Sequence, residues 1–254
     1  VEQVSLKDDL LKHQIFLQRL GATHAKDISR TLAKGISLGI KALKDNPSGL
    51  SQQALRVLHT SVIAVLHGMA DSQIGLLVDT AIYEAKFLAN RLEKNKVVVT
   101  AILPSKGNLR TTVVDTKMSV VSGEAKKTIP NVYTHFANTK ASEIVLVVGD
   151  VSLQEDKETI VEDGTTKLIG LGIGLFALQS MTLATTTTTQ AASTARQEVY
   201  IENQIPLLNW VTELDSDVCP DCEELGANGP YAADDTDIPP EHWNCRCVLV
   251  PVDE

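Results

Sequence analysis

The sequence predicts an α+β protein with a helical N-terminal part, a small β-containing middle part and a cysteine-rich C-terminal knuckle. Three observations carry that reading. Apolar residues up to Ala89 recur at steps of three, four or seven, β-branched runs appear after Lys96, and all four cysteines fall beyond Trp210. Spacing and composition divide the chain into residues 1–95, helical; 96–166, β-containing; 167–205, apolar and Ala/Thr-rich helices; and 206–254, the cysteine-rich domain.

In the first part, Leu6, Leu10, Leu17 and Leu20, then Ile28, Leu32, Ile36 and Ile40, fall on helical spacing. Asp45-Asn46-Pro47-Ser48-Gly49 is a dense turn signal. Ser51 offers a side-chain oxygen to cap a helix carrying Leu55, Leu58, Val62 and Leu66. Asp71 or Ser72 is expected to start a further helix through Ile74, Leu77, Val78, Ile82 and Ala85 to Leu92. His13, His24, His59 and His67 lie here without a carboxylate or thiol at ligand spacing, so they are expected to be exposed or capping groups.

From Lys96 the character changes. Val97-Val98-Val99-Thr100-Ala101-Ile102-Leu103 is rich in β-branched residues and stops at Pro104, which predicts a strand. Ser105-Lys106-Gly107-Asn108 reads as a turn, Thr111-Thr112-Val113-Val114 as a second strand, and Glu143 to Val148 as a third. Residues 117–138 fit neither period. Lys106, Arg110, Lys126 and Lys127 make the most basic neighbourhood and are expected to form a solvated face, because the aromatics of a strand-tracking groove are missing.

Glu155 to Asp163 reads as an acidic connector. Leu168 to Ala184 is apolar, with Gly170, Gly172 and Gly174 in its first half and Gln179, Ser180 and Thr182 in its second. Gly170-x3-Gly174 is a spacing that lets helices approach closely. The run is short for a membrane span, which needs about 20 apolar residues, so a buried or interface helix is expected. Thr185 to Thr189 has poor helix propensity, yet Gln190 to Gln204 should be helical, ending before Pro206. Leu207 to Leu214 is then a strand delivering Trp210 to the core, Asp215 a turn-forming side chain, Gly226 to Pro230 a turn, and Val248 to Val250 a closing strand.

The chemistry is concentrated at the end of the chain. Cys219 and Cys222 form Cys-x2-Cys, and His242, Cys245 and Cys247 form His-x2-Cys-x-Cys. Zinc takes four N/S ligands at tetrahedral corners, and a near-contiguous pair on each side of a loop supplies them. Five candidates compete for four places. Cys219 and Cys222 make one pair; for the other, Cys245 and Cys247 point the same way if the segment is extended, whereas His242 with one of them suits a loop, and His242 is favoured with the fourth ligand open. One structural zinc per chain is the expectation. The competing reading is a pair of disulfides or four reduced thiols in a core; disulfides need an oxidising compartment, and no signal peptide opens the sequence.

Composition bounds the function. With 32 acidic against 23 basic residues the net charge is −9, which repels a polyanion on average, so any nucleic-acid contact needs a local patch. Aromatics make up 4 %. A short tail with so few large side chains gains much from a structural zinc, which contributes on the order of 10 kcal/mol to folding.

More than cysteines can be matched. Trp210-Val211-Thr212 leading through Asp215 to Cys219-Pro220-Asp221-Cys222, and Ile238-Pro239-Pro240-Glu241-His242-Trp243-Asn244-Cys245-Arg246-Cys247, resemble the conserved segments of the phage minor head protein family, the Mu F-like and SPP1 gp7-like head morphogenesis proteins. The helix Ser193 to Tyr200 is similar to that family's Ala-Arg-Thr-Glu helix, with Gln197 in place of Thr; the resemblance implies that this helix begins within Thr185 to Thr189, and Trp243 stands where Pro is common. Neither departure touches a candidate ligand. The resemblance covers about residues 185–254, and none is found for the first 180.

That resemblance implies a virion protein of the head or portal vertex, assembled in the host cytoplasm and present in several copies. It would act in head assembly or in packaging and delivery of the genome. The partners it implies are the portal and/or the major capsid protein, with non-specific contact to packaged DNA, and a membrane is not expected. Catalysis is not expected either. A zinc nuclease would need a histidine base, a second metal-binding His or Asn and an open metal position; His242-Trp243-Asn244 invites that reading, but no histidine follows His242 and a thiolate-rich site leaves no open position. The remaining alternative is an ejected, membrane-active internal protein, resting on the glycine-containing apolar run.

Overall fold

A computed structural model describes residues 5–118, 127–153, 160–212, 218–235 and 237–252. Over the described residues the protein is mostly helical with two small antiparallel sheets. Helices α1 (Leu6–Asp45) and α2 (Gln52–Lys94) are followed by α3 (Lys106–Asp115) and the paired strands β1 (Lys117–Met118) and β2 (Lys127–Thr128). Next come α4 (Ile129–Ser152), α5 (Ile160–Leu171), one π-helical segment (Gly172–Phe176) and α6 (Ala177–Glu202). The chain ends with β3 (Leu207–Val211), α7 (Pro220–Asn228), β4 (Tyr231–Ala232) and β5 (Val248–Pro251). Lys126, Asp215 and residues 155–159 of the acidic stretch lie outside the described residues; the rest of that stretch, Ile160 to Asp163, is the first turn of α5 and not a connector.

Two compact units divide the chain. One comprises Val1–Ala22, Ile74–Ile129 and Thr182–Glu254; the other comprises Thr23–Gln73 and Pro130–Met181. In the second unit Leu32, Ile36, Leu43, Leu58, Val62, Leu66, Ile144 and Val148 are buried at helical spacing. Gly49, at φ 100°, turns the chain between α1 and α2, and a Cβ there would stand 2.8 Å from the Ser152 carbonyl oxygen. Ser51 caps α2 as its position suggests, accepting from the Ala54 N–H at 3.2 Å.

Five sequence expectations between Asp71 and Val148 are corrected. Val97–Leu103 is not a strand. A left-handed Lys96 ends α2, with the Val97 N–H reaching back to the Leu92 carbonyl, and the segment's backbone groups then bond to side chains instead of a neighbouring strand. The Ala101 N–H donates to Glu93, and Asn203 brackets Ile102 through both its N–H and its carbonyl.

Ser105 to Val114 is helix α3, not a turn and a strand. Ser105 is its N-cap, accepting from the Asn108 N–H, Leu109 and Val113 are buried one turn apart, and Thr112 returns its hydroxyl to the Asn108 carbonyl. Glu143 to Val148 belongs to α4, where Ala137, Ala141, Ile144, Val148 and Val151 are buried on a 3.6-residue period while Leu146 faces out. No helix starts at Asp71 or Ser72, because α2 runs through them.

In the first unit α6 is buried from Leu183 to Arg196 without a break, including all five threonines. β-Branching lowers helix propensity by only tenths of a kcal/mol per residue, and burial of every face outweighs it. Thr187 bonds back to the Leu183 carbonyl at 2.9 Å, and Gln14 and Gln18 of α1 donate to Thr189. Gly21 lets α1 approach closely, since a Cβ there would lie 2.7 Å from the Thr185 Cα. Glu84 of α2 and Arg196 of α6 form a buried ion pair at 2.6 Å, with His13 on the second carboxylate oxygen at 2.7 Å.

The C-terminal half of α6 carries the three-stranded sheet, whose order is β4-β3-β5. Tyr200 donates its hydroxyl to the Leu249 carbonyl, and Gln197 donates to the Ala233 carbonyl. The expected strands at Leu207 and Val248 form and pair antiparallel with Trp210 opposite Leu249, and Trp210 is buried as expected.

Candidate metal centre

The first cysteine pair is positioned by a helix start. Cys219 is the N-cap of α7, its Sγ accepting from the Cys222 N–H at 3.3 Å, and Pro220 occupies the first turn, where the missing N–H costs nothing. N-cap and third helical position face the same way, so both sulfurs point to one side. Of the expected turn from Gly226 to Pro230, the residues up to Asn228 are therefore helical. Gly226 brings α7 against β3, a Cβ there standing 3.4 Å from the Trp210 carbonyl oxygen, an ordinary contact.

The second group comes from a tight turn leading into β5. The Cys245 N–H donates to the His242 carbonyl at 3.1 Å, and Asn244 adopts φ 62° at the third position of the turn, a conformation asparagine tolerates better than most residues. Asn244 also fastens the turn to α6. Its N–H donates to Thr186 Oγ1 at 3.0 Å, and its side-chain oxygen accepts from Thr185 Oγ1 at 2.9 Å.

These two pieces bring all five sequence candidates together around Cys222. Cys219, Cys222 and His242 form one group whose ligand atoms lie within 4.8 Å of one another, and Cys222, Cys245 and Cys247 form a second. Cys222 Sγ stands 3.3 Å from His242 Nε2 and 3.8 Å from Cys245 Sγ. Tetrahedral thiolates about 2.3 Å from one ion are about 3.8 Å apart, so the sulfur edge has the span that a shared ion requires.

His242 is presented in the right form. Its Nδ1 meets the Trp243 carbonyl at 3.0 Å, which fixes the proton on Nδ1 and leaves the Nε2 lone pair facing Cys222. All four cysteines are free, and Cys222, Cys245 and Cys247 are buried. Together these donors can hold one soft, tetrahedral metal ion.

The buried thiols do not ionise independently. Hydrogen bonds from Cys222 first, and then Cys247, hold the Cys245 thiol far below its ordinary range, and Cys222, as the principal donor to Cys245, is pushed far up. For Cys247, donation from Cys222 favours the thiolate, but its bond to Cys245 and burial outweigh that and raise it to about 12. The Trp210 indole N–H makes no full hydrogen bond, yet it lies close enough to Cys247 to favour that thiolate. Crowded thiols that resist losing more than one proton become thiolates together only when a cation shares them.

The isolated histidines stay out of this cluster, but His13 and His24 are not the exposed or capping groups expected: His13 bonds the buried Glu84, and burial lowers the pKa of His24 against the raising effect of Asp27, while the exposed His67 meets Asn138 Oδ1 at 2.8 Å. Among the described residues every metal-competent group lies in the C-terminal segment. Thr185, Thr186 and Asn244, which seat the ligand turn, were not singled out from the sequence. The one signal they left was an asparagine directly before Cys245 and a threonine run where hydroxyls would otherwise be wasted.

Fold and site together define a helical protein whose last segment is a knuckle of four cysteines and one histidine, folded onto the end of a buried helix. Residues 173–250 match the family described as Phage Mu protein F like protein, and the match covers that segment of the chain, from the π-helical segment to β5. No curated protein and no solved structure matches the chain.

Proposed function

We propose that this protein is a non-catalytic component of a phage head, assembled in the host cytoplasm. Its C-terminal knuckle is a zinc-organised docking module at or near the portal vertex, contacting the portal or the major capsid protein. Convergence of five donors on Cys222 is the observation that carries the reading, with the family match over residues 173–250 supplying the setting. Cys219, Cys222 and His242 are three ligands, and Cys245 is the fourth, on the strength of its 3.8 Å edge to Cys222. Cys247 backs the site from beside Trp210.

Zinc bound there supplies a rigid cross-link between the start of α7 and the turn before β5. The donor set is thiolate-rich and leaves no position for substrate, which suits a structural ion. The α7 start, the ligand turn and α6 then move as one piece, a stiff surface for a partner to dock on.

Two measurements test this. Elemental analysis of the purified chain should find about one zinc per chain, and a chelator should release it with loss of near-UV circular dichroism from Trp210 and Trp243. Immunogold labelling of intact virions should place the protein at the portal vertex or on the shell. Metal-free protein with unchanged spectra, or absence from virions, overturns the corresponding half of the proposal.

A further inference from the structure

The second unit presents an apolar face that its own fold leaves open. On the run from α5 through the π-helical segment into α6, Leu168, Phe176 and Ser180 turn inward, while Ile173 is 76 % exposed and Leu178 67 % exposed. Ile169, Leu175 and Met181 are exposed beside them. Gly170 and Gly174 open into free space, since a Cβ on either would meet nothing within 4 Å; Gly172 points inward, toward Ile36. The π-helical segment adds a residue to the turn at this point, so that Ile173 and Leu178, five apart, stay on one side where an α-helix would splay them.

From this geometry we infer that the Ile169–Met181 face is a self-association surface, and that its occupant is the same face of a second copy of this chain. Ridge and trough lie side by side on one stripe. In a two-fold pairing the Ile173 ridge of each copy enters the glycine trough of the other, the isologous arrangement that most dimers use.

Charge supports the same occupant. A chain of net charge −9 repels its copies except where the contact is neutral, and no charged residue occurs from Leu168 to Ala195. The nearest upstream cation, Lys167, is paired within its own helix to Asp163 at 2.9 Å, which leaves little to recruit an oppositely charged partner. Five exposed apolar side chains amount to roughly 500 Å², in the upper part of the range of about 300–600 Å² that a monomer's largest and often functional patch covers. Two such faces bury about 1,000 Å², which reaches the size of a specific interface.

A bilayer fits less well. The run Ile160–Glu202 is long and apolar enough to cross one by length and composition. Its exposed stretch, however, is roughly 20 Å long against a hydrocarbon core of about 30 Å, and from Leu183 to Arg196 every residue is buried.

The test is sedimentation velocity of the full chain from about 1 to 100 µM, with vesicle flotation alongside. Wild type should associate reversibly, and Ile173→Asp should weaken association at least tenfold. Gly174→Leu guards against misfolding: a Cβ there meets nothing within 4 Å, so the thermal midpoint should hold while association falls equally. Both variants should keep the helical signal of wild type. A wild-type chain that stays monomeric, or one whose association both variants leave intact, overturns the inference. So does flotation with phosphatidylcholine vesicles that Ile173→Asp abolishes, which would assign the face to lipid.

Discussion

The backbone N–H of Asn244 donates to Thr186 Oγ1 at 3.0 Å, tying the turn that carries His242 and Cys245 to a helix remote in sequence. The Thr185 hydroxyl completes the clamp on the Asn244 side-chain oxygen. A turn held in this way needs little rearrangement to accept an ion, because two of its donors are fixed by backbone geometry rather than by the metal.

Asn244 therefore has two separable jobs. Asn244→Gly keeps the left-handed backbone and loses the side-chain bond; Asn244→Ala loses the bond and is strained at φ 62° as well. The alanine variant should be destabilised by about 1–3 kcal/mol and the glycine variant by less, read from denaturant midpoints. Equal losses would show that the backbone conformation contributes nothing.

Serine substitutions should rank the ligands. Cys222→Ser should abolish zinc retention, since Cys222 belongs to both donor groups. Cys219→Ser and His242→Ala should cut affinity by orders of magnitude, and Cys247→Ser much less, because it stands behind the proposed set. Competition with a chromophoric chelator measures this. A Cys247→Ser variant that loses its metal while Cys219→Ser keeps it would move the ion to the second donor group.

The candidate ligands were legible because their chemistry is local. Cys-x2-Cys and His-x2-Cys-x-Cys need only short segments to converge, and Trp210 with Val248 to Val250 reads as strand beside them. The seat of the site was not legible. Thr185 and Thr186 touch Asn244 across more than fifty residues, and their propensity argued against the helix that presents them. The middle of the chain misled for a related reason. Val97 to Leu103 has the composition of a strand but finds no strand to pair with. Thr111 to Val114 and Glu143 to Val148 sit in helices whose period appears only when Leu109, Ala137 and Ala141 are counted with them.

Close approach of α1 and α6 rests on Gly21. A methyl there would lie 2.7 Å from the backbone of Thr185, which cannot yield as a side-chain tip can. Gly21→Ala should cost about 1–3 kcal/mol despite its better helix propensity, and by shifting Thr185 it should loosen the ligand turn. Thermal melts with and without chelator check this: the variant's metal-dependent stabilisation should shrink along with its midpoint.

Glu84 should govern much of the acid sensitivity. Burial opposes its charge, but the Arg196 guanidinium, and then the hydrogen bond from His13, more than compensate and hold the carboxyl below its ordinary value. A carboxylate with a depressed folded pKa lends stability that is complete above its unfolded value, about pH 4.3, and is lost as pH falls through the folded one. Wild type should therefore lose stability steeply below about pH 4.3, and Glu84→Gln should show a flatter acid limb from a lower neutral plateau. Glu84→Ala strands Arg196, which is 2 % exposed, and should cost about 3–5 kcal/mol at neutral pH. Replacing both residues, as Glu84→Leu with Arg196→Met, should recover most of that loss, because an apolar pair of similar volume no longer leaves a buried charge alone. Denaturation across pH 3 to 7 on the four proteins measures both effects. An acid limb that Glu84→Gln leaves unchanged would move the pH dependence to other carboxylates, and a double variant no more stable than Glu84→Ala would show that the loss does not come from stranding Arg196.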